Sequence, residues 1–270
     1  MQYKKSAIGY LIFLIAALAA AQAPQPPQVP AQFTQQEPRP ELQTIVQRME
    51  QAARENREKY RAYVITREYR MYGGGEQKPG STVVADISFV PPKTQEFKIT
   101  ETQGSARGEN VVRHILENEQ RAAETGQAPG AVTRENYEFT LQGEQRVDEH
   151  DCFVLGLTPK HKEKNLIVGR AWVDKNTYLV RRVQGEMAKM PSWWIKSVEV
   201  TLDFGDVSGM WMKTHTTANA DVRVFGPHTL QENAIRVRTG STVAEVAGTR
   251  AQQSRRSFRR AEAVLGTFQH

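Results

Sequence analysis

Residues 166–224 read LIVGRAWVDKNTYLVRRVQGEMAKMPSWWIKSVEVTLDFGDVSGMWMKTHTTANADVRV, and this stretch decides the fold. Apolar and polar residues alternate through it, the period-two pattern of strands with one dry face. NLIVGRAWV (165–173) and TYLVRRVQG (177–185) flank Asp174-Lys175-Asn176, a good hairpin connection. In IKSVEVTLDF (195–204), Val198, Val200, Leu202 and Phe204 form one face with Lys196 at its wet end. In MWMKTHTTANADVRV (210–224), Met210, Met212, Ala218, Ala220, Val222 and Val224 share a parity. The reading is a run of consecutive antiparallel strands. The stretch also holds all four tryptophans and four of the seven methionines, a concentration that points to a sheet covering or binding something apolar.

The same patterning extends outward. Upstream, Tyr137, Phe139 and Leu141 share a face, and CFVLGL (152–157) pairs back across Asp148-Glu149-His150-Asp151, read as a four-residue turn. Further upstream Tyr63, Ile65, Tyr69 and Met71 alternate, interrupted by Arg67. Gly73-Gly74-Gly75 with Pro79-Gly80 makes a turn into Val83, Ala85, Ile87 and Phe89, and Phe97 and Ile99 mark a third strand. Downstream the last strand lies near Ala234 to Val237, and periodicity vanishes after Gly240. Two segments have helical spacing instead. Residues 41–59 carry Leu42, Ile45, Val46, Met49, Ala52 and Ala53 behind Pro40, and Glu109 to Glu124 carry Val111, Val112, Ile115 and Leu116. The expected fold is therefore α+β, mainly β. About ten antiparallel strands form one domain over 41–240, in a sheet that must curl to protect its inner face and whose concave side two helices cover.

The ends of the chain speak to compartment. Lys4 and Lys5 precede an apolar run from Ile8 to Ala21, shorter than the about 20 residues of a membrane span, and small residues follow. Residues 1–21 read as a signal peptide cleaved after Ala21, so the chain is expected to be exported to the periplasm. No cysteine follows the run to accept a lipid, and Cys152 is the only cysteine. The folded part must then be stable without an internal disulfide. Residues 22–40 are a Pro/Gln-rich linker, and 241–270 are expected to be a disordered tail with Arg250, Arg255, Arg256, Arg259 and Arg260. The net charge of +6 falls to +4 without Lys4 and Lys5, and the tail supplies much of the basic balance. Nucleic acid is not an expected partner; the tail reads first as solvated chain, with an anionic membrane surface as the alternative.

Catalytic constellations are not found. There is no HExxH, and Gly205-Asp206-Val207-Ser208-Gly209 has its serine one place late for a nucleophile elbow. His114 and Glu117 are three apart on a helix without further ligands, and the 148–151 cluster reads as turn chemistry. No enzyme activity, cofactor or metal is expected. The candidate ligand-binding residues are apolar: Met187, Met190, Trp193, Trp194, Trp211 and Met212. Each could equally cap the core at an end of the sheet.

At these residues the chain resembles a known group. The order G-x-A-W-V-D-x-x-x-Y-x-V-x-R (Gly169 to Arg182), then Pro191 to Lys196 as P-S-W-W-I-K, then Gly209 to Met212, is similar to periplasmic proteins of the LolA/LolB-like superfamily, including outer-membrane lipoprotein-sorting proteins. The resemblance implies an incomplete antiparallel barrel with helices on its concave side. It also implies a hydrophobic cavity for acyl chains of a lipid or lipoprotein, as in a carrier or chaperone of lipoprotein transport. The alternative is an envelope protein-interaction or stress-sensing module that contacts a protein partner and carries no lipid.

Overall fold

The computed structural model describes residues 40–125, 131–163, 165–240 and 242–245. The expected signal peptide, the linker up to residue 39 and the arginines of the tail lie outside these residues. The elements run in the order α1 (Leu42–Glu58), β1 (Tyr63–Tyr72), β2 (Ser81–Val90), β3 (Thr94–Gly104), α2 (Ala106–Thr125), β4 (Tyr137–Val147), β5 (His150–Pro159), β6 (Ile167–Asp174), β7 (Val180–Met187), β8 (Ile195–Val207), β9 (Met210–Val222), β10 (Gly226–Thr239) and β11 (Thr242–Glu245).

All strands join one antiparallel sheet in the order β3-β2-β1-β10-β9-β8-β7-β6-β5-β4. Among the described residues no further strand pairs with β3 or β4, so the sheet is an open half-barrel. The chain runs outward from β1 to the β3 edge and then begins again at the opposite β4 edge. The connection between the two edges contains α2, which packs on the β1–β2 side of the sheet. From β4 the strands step back one by one until β10 pairs with β1.

Beside the about ten strands expected, a short β11 joins the sheet off its main path. β11 pairs with Arg236 to Thr239 of β10, on the side that β9 leaves free, because β9 pairs with β10 only from His215 onward. The sheet thus continues past Gly240, where sequence periodicity ends. The β4–β5 connection is also tighter than expected. Asp148 and Glu149 alone form the turn, both with positive φ (46° and 68°), while His150 and Asp151 already belong to β5. Two left-handed residues are what a two-residue hairpin requires, and Asp is among the few residues that accept them. Gly169 and Gly185 face each other on β6 and β7, where a Cβ on either would fall 2.1 Å from a carbonyl oxygen of the neighbouring strand. These glycines let the two backbones approach closely. Bulges at Thr66/Arg67, Val84/Ala85, Leu141/Gly143 and Asp203/Phe204 add local twist.

Both helices pack on the same, inner face. Ile45, Val46 and Met49 of α1 bury against Phe153, Leu155 and Val173, covering the β4–β6 wing. Val112 and Leu116 of α2 bury against Ile65, Tyr69, Val83, Ala85 and Ile87, covering the β1–β2 wing and reaching Met210 and Met212. A third cluster contains no helix residue. Leu157, Ile167, Ala171, Val183, Val198 and Val200 form it with Tyr137 and Leu166. The outer face carries a small patch of its own, where Val154 and Trp172 pair across β5 and β6 beside Val147 and Cys152.

Candidate apolar binding site

The helix-free cluster is where the inner face has its least cover. On the central strands β8 and β9 the inward residues Leu202, Phe204, Ala218 and Ala220 are only half-buried. They lie between the wing that α1 covers and the wing that α2 covers. Loops close the cluster at one end: Val132 from the segment before β4, and Ala188 and Met190 from the β7–β8 loop, with Met187 at the end of β7. Backbone bonds fix this loop, the Ala188 N–H donating to the Leu166 carbonyl (2.8 Å) and the Ile195 N–H to that of Ser192 (3.2 Å).

The six candidate residues do not form one site. Met187 and Met190 pack against the helix-free cluster, as a ligand-facing or core-capping role requires. Trp193 and Trp194 sit at the tip of the same loop and turn outward, 84% and 42% exposed. An exposed Trp forgoes about 4 kcal/mol of burial, at about 25 cal/mol per Å² over its area. Trp211 and Met212 lie at the other end of the sheet. Trp211 pairs with Asp206, and the distance from there to Ile195 along β8 is about 36 Å at about 3.3 Å per residue. Met212 is buried in the cluster under α2.

Trp211 is a structural junction. The side chain of Asn56, at the end of α1, accepts from the Trp211 N–H (2.8 Å) and donates to its carbonyl (2.7 Å). Asn56 thereby takes the ladder position that β10 vacates. The Tyr60 hydroxyl donates to the same carbonyl at 2.8 Å. The indole N–H donates to the Val180 carbonyl (2.9 Å), and the Arg181 guanidinium lies 5.0 Å from the ring centroid.

A feature that alternation alone does not display is a group of four charges on the inner face. Arg67 of β1, Lys213 of β9 and Glu232 of β10 meet Glu119 of α2, with Arg67–Glu119 at 2.8 Å, Arg67–Glu232 at 3.2 Å, Lys213–Glu119 at 3.1 Å and Lys213–Glu232 at 3.0 Å. Two cations balance two carboxylates. Burial opposes ionisation of Glu119, yet Lys213 and Arg67 hold it at about 2. The same carboxylates keep Arg67 and Lys213 above their ordinary values against the cost of burial. Burial and the neighbouring Glu232 push the Tyr69 phenol well up. Among the described residues the Arg67 Nε, Tyr69 hydroxyl and Thr216 hydroxyl beside this group have no hydrogen-bond partner. The signal in the sequence is Arg67 interrupting an inward-facing alternation.

The polar clusters weighed for catalysis sit in structural surroundings. His114 and Glu117 are an exposed pair on α2 (3.2 Å). Asp174 is the fully covered carboxylate of the β6–β7 turn, accepting from the N–H groups of Asn176 (2.9 Å) and Thr177 (2.8 Å) and from Arg181 (2.6 Å), while His150 approaches at 3.4 Å. Burial pushes the Cys152 thiol up to about 11. Among the described residues no three His, Cys, Asp or Glu side chains are placed to hold a metal ion.

This open antiparallel sheet, with two helices on its inner face, defines the class. A family model described as an uncharacterized protein matches residues 130–224. No curated protein matches the chain. Among solved structures, similarity is found to a DUF1329 family protein from Desulfovibrio piger (14% identity, 74% of this chain and 95% of that one, TM-score 0.39). It is also found to a domain from Vibrio parahaemolyticus described as an outer membrane lipoprotein-sorting protein (14%, 72% and 93%, TM-score 0.40) and to a LolA superfamily protein from Nitrosomonas europaea (11%, 74% and 94%, TM-score 0.33).

Proposed function

We propose that the protein is an exported, periplasmic binding protein that takes the acyl chains of a lipid or lipoprotein onto the inner face of its half-barrel, between the two helix-covered wings. The reading assigns it binding, without catalysis. The observation that carries it is the cluster over β5–β9 that no helix residue covers, with Leu202, Phe204, Ala218 and Ala220 half-buried toward the inside. An amphiphile with a long saturated chain would complete the cover that α1 and α2 give the two wings. The methionines at its loop end supply side chains that repack around chains of different length. Sorting of lipoproteins to the outer membrane is one use of such a site.

Binding is tested by titrating delipidated protein with a fatty acid bearing an environment-sensitive fluorophore and reading the emission of the probe. Saturable uptake at micromolar probe is expected. Ala218→Trp fills the strip between the wings and is expected to weaken uptake at least about tenfold, the equivalent of about 1.4 kcal/mol. Lack of saturable uptake by the folded parent, or equal uptake by Ala218→Trp, contradicts the reading.

A further inference from the structure

We infer that the end of the half-barrel formed by the β1–β2, β5–β6, β7–β8 and β9–β10 connections and the start of α2 docks on the surface of an anionic lipid bilayer. The three most exposed large apolar side chains of the described residues, Trp193, Val224 and Phe225, gather there together with Trp194. Trp193 and Trp194 sit in the β7–β8 loop, and Val224 (83% exposed) and Phe225 (60%) in the β9–β10 turn. The two connections are tied into one surface. The Arg223 N–H donates to the Trp194 carbonyl (2.9 Å) and the Arg223 Nε to the Trp193 carbonyl (2.9 Å). The Arg107 guanidinium, in the first turn of α2, lies 5.0 Å from the centroid of Phe225. Of the other large apolar side chains with comparable exposure, Val168 lies near the start of β6 at this same end and Val90 closes β2 at the opposite one. Isolated residues of that kind are ordinary surface, whereas four tied together mark an interaction site.

Charge selects the occupant. The same connections and the start of α2 carry Lys78, Arg107, Lys160, Lys162, Lys189 and Arg223 against the three acids Glu76, Glu109 and Glu163. The register places all of them at one end, since β2, β6, β8 and β10 begin where β1, β5, β7 and β9 finish. Tryptophan and phenylalanine at protruding tips, ringed by lysine and arginine, match the two layers of a bilayer interface: acyl boundary below, anionic headgroups around. The inference goes beyond acyl-chain binding and does not depend on it.

The test is flotation of the whole chain with vesicles of phosphatidylcholine, with and without phosphatidylglycerol, together with Trp emission. The parent is expected to float with the phosphatidylglycerol vesicles and to shift its emission to the blue. Trp193→Ser/Trp194→Ser should lose at least about tenfold in partition while keeping its unfolding midpoint. Lys162→Gln/Lys189→Gln should lose about 25-fold, from about 1 kcal/mol for each basic residue near such a surface. Because the tail is the same in every variant, a Trp193→Ser/Trp194→Ser protein that floats like the parent assigns binding to the arginines after Gly240 and overturns the inference. So does a parent that ignores vesicles, that floats equally without phosphatidylglycerol, or whose Trp193–Trp194 tip is occupied by an envelope protein when vesicles are offered in competition. The Ala218→Trp protein should float normally, and Trp193→Ser/Trp194→Ser should still take up the fatty-acid probe, so the two readings fail separately.

Discussion

Arg67 occupies an inward position of β1 in a row that otherwise holds Tyr63, Ile65, Tyr69 and Met71, and its charge is met by Glu119 and Glu232. Replacing one member of such a group strands the others. Glu119→Gln leaves Arg67 and Lys213 sharing Glu232 alone, a net cation under α2, and is expected to cost about 3 kcal/mol in urea unfolding. The pH dependence has a definite sign. The Glu119 carboxyl is held at about 2, below its ordinary 4.5. Its contribution is complete above pH 4.5 and is lost as pH falls through 4.5 toward 2. The parent should lose stability steeply in that window, and Glu119→Gln should flatten the limb. A limb of the same slope in both proteins places the acid sensitivity elsewhere. The sequence shows Arg67 as an irregularity in an alternation, but its partners come from α2 and β10, and no local pattern connects them.

At the scale of elements, most of the architecture is legible before the structure. The alternation of Val83, Ala85, Ile87 and Phe89, or of Val198, Val200 and Leu202, appears as strands in the expected places, and the three- and four-residue spacings of Ile45, Val46 and Met49 appear as α1. Periodicity reports which face of an element is dry and is silent on what covers it. For that reason Trp211 reads as a ligand residue in the sequence while the structure spends its backbone on Asn56 and its ring on Val180 and Arg181. The same limit hides β11, whose pairing with β10 depends on where β9 departs. Asn56 fastens the end of α1 to the sheet, so Asn56→Ala leaves the Trp211 N–H without its partner and its carbonyl with the Tyr60 hydroxyl alone. A cost of about 2 kcal/mol is expected, with faster amide exchange at Trp211 than at Val200. An unchanged exchange rate at Trp211 would show that the helix end is held by its apolar contacts.

At the scale of the whole molecule, the open sheet explains why the helices are needed and where they are insufficient. Ten strands in path order leave two edges and a broad inner face, and α1, which runs from the β4–β6 wing to Trp211 of β9, and α2 leave the helix-free cluster uncovered. The uncovered middle was not legible in the sequence, because it depends on which strands each helix crosses. What was legible is that the fold must stand without cross-links. Its one cysteine, Cys152, is fully buried on the outer face beside Val147, Val154 and Trp172. Burial holds that thiol up to about 11, so near neutral pH the native protein offers almost no thiolate. Maleimide labelling should therefore be slow in the native state and follow the urea unfolding curve, and a reductant should leave the thermal midpoint unchanged. The position of Cys152 on β5, next to the edge strand β4, sharpens the measurement. If β4 and β5 open independently of the rest, labelling will precede the loss of Trp signal. If the three inner clusters unfold as one body, the two curves will coincide, which is the expected result because Phe139 and Val180 pack against both the α1 cluster and the helix-free cluster.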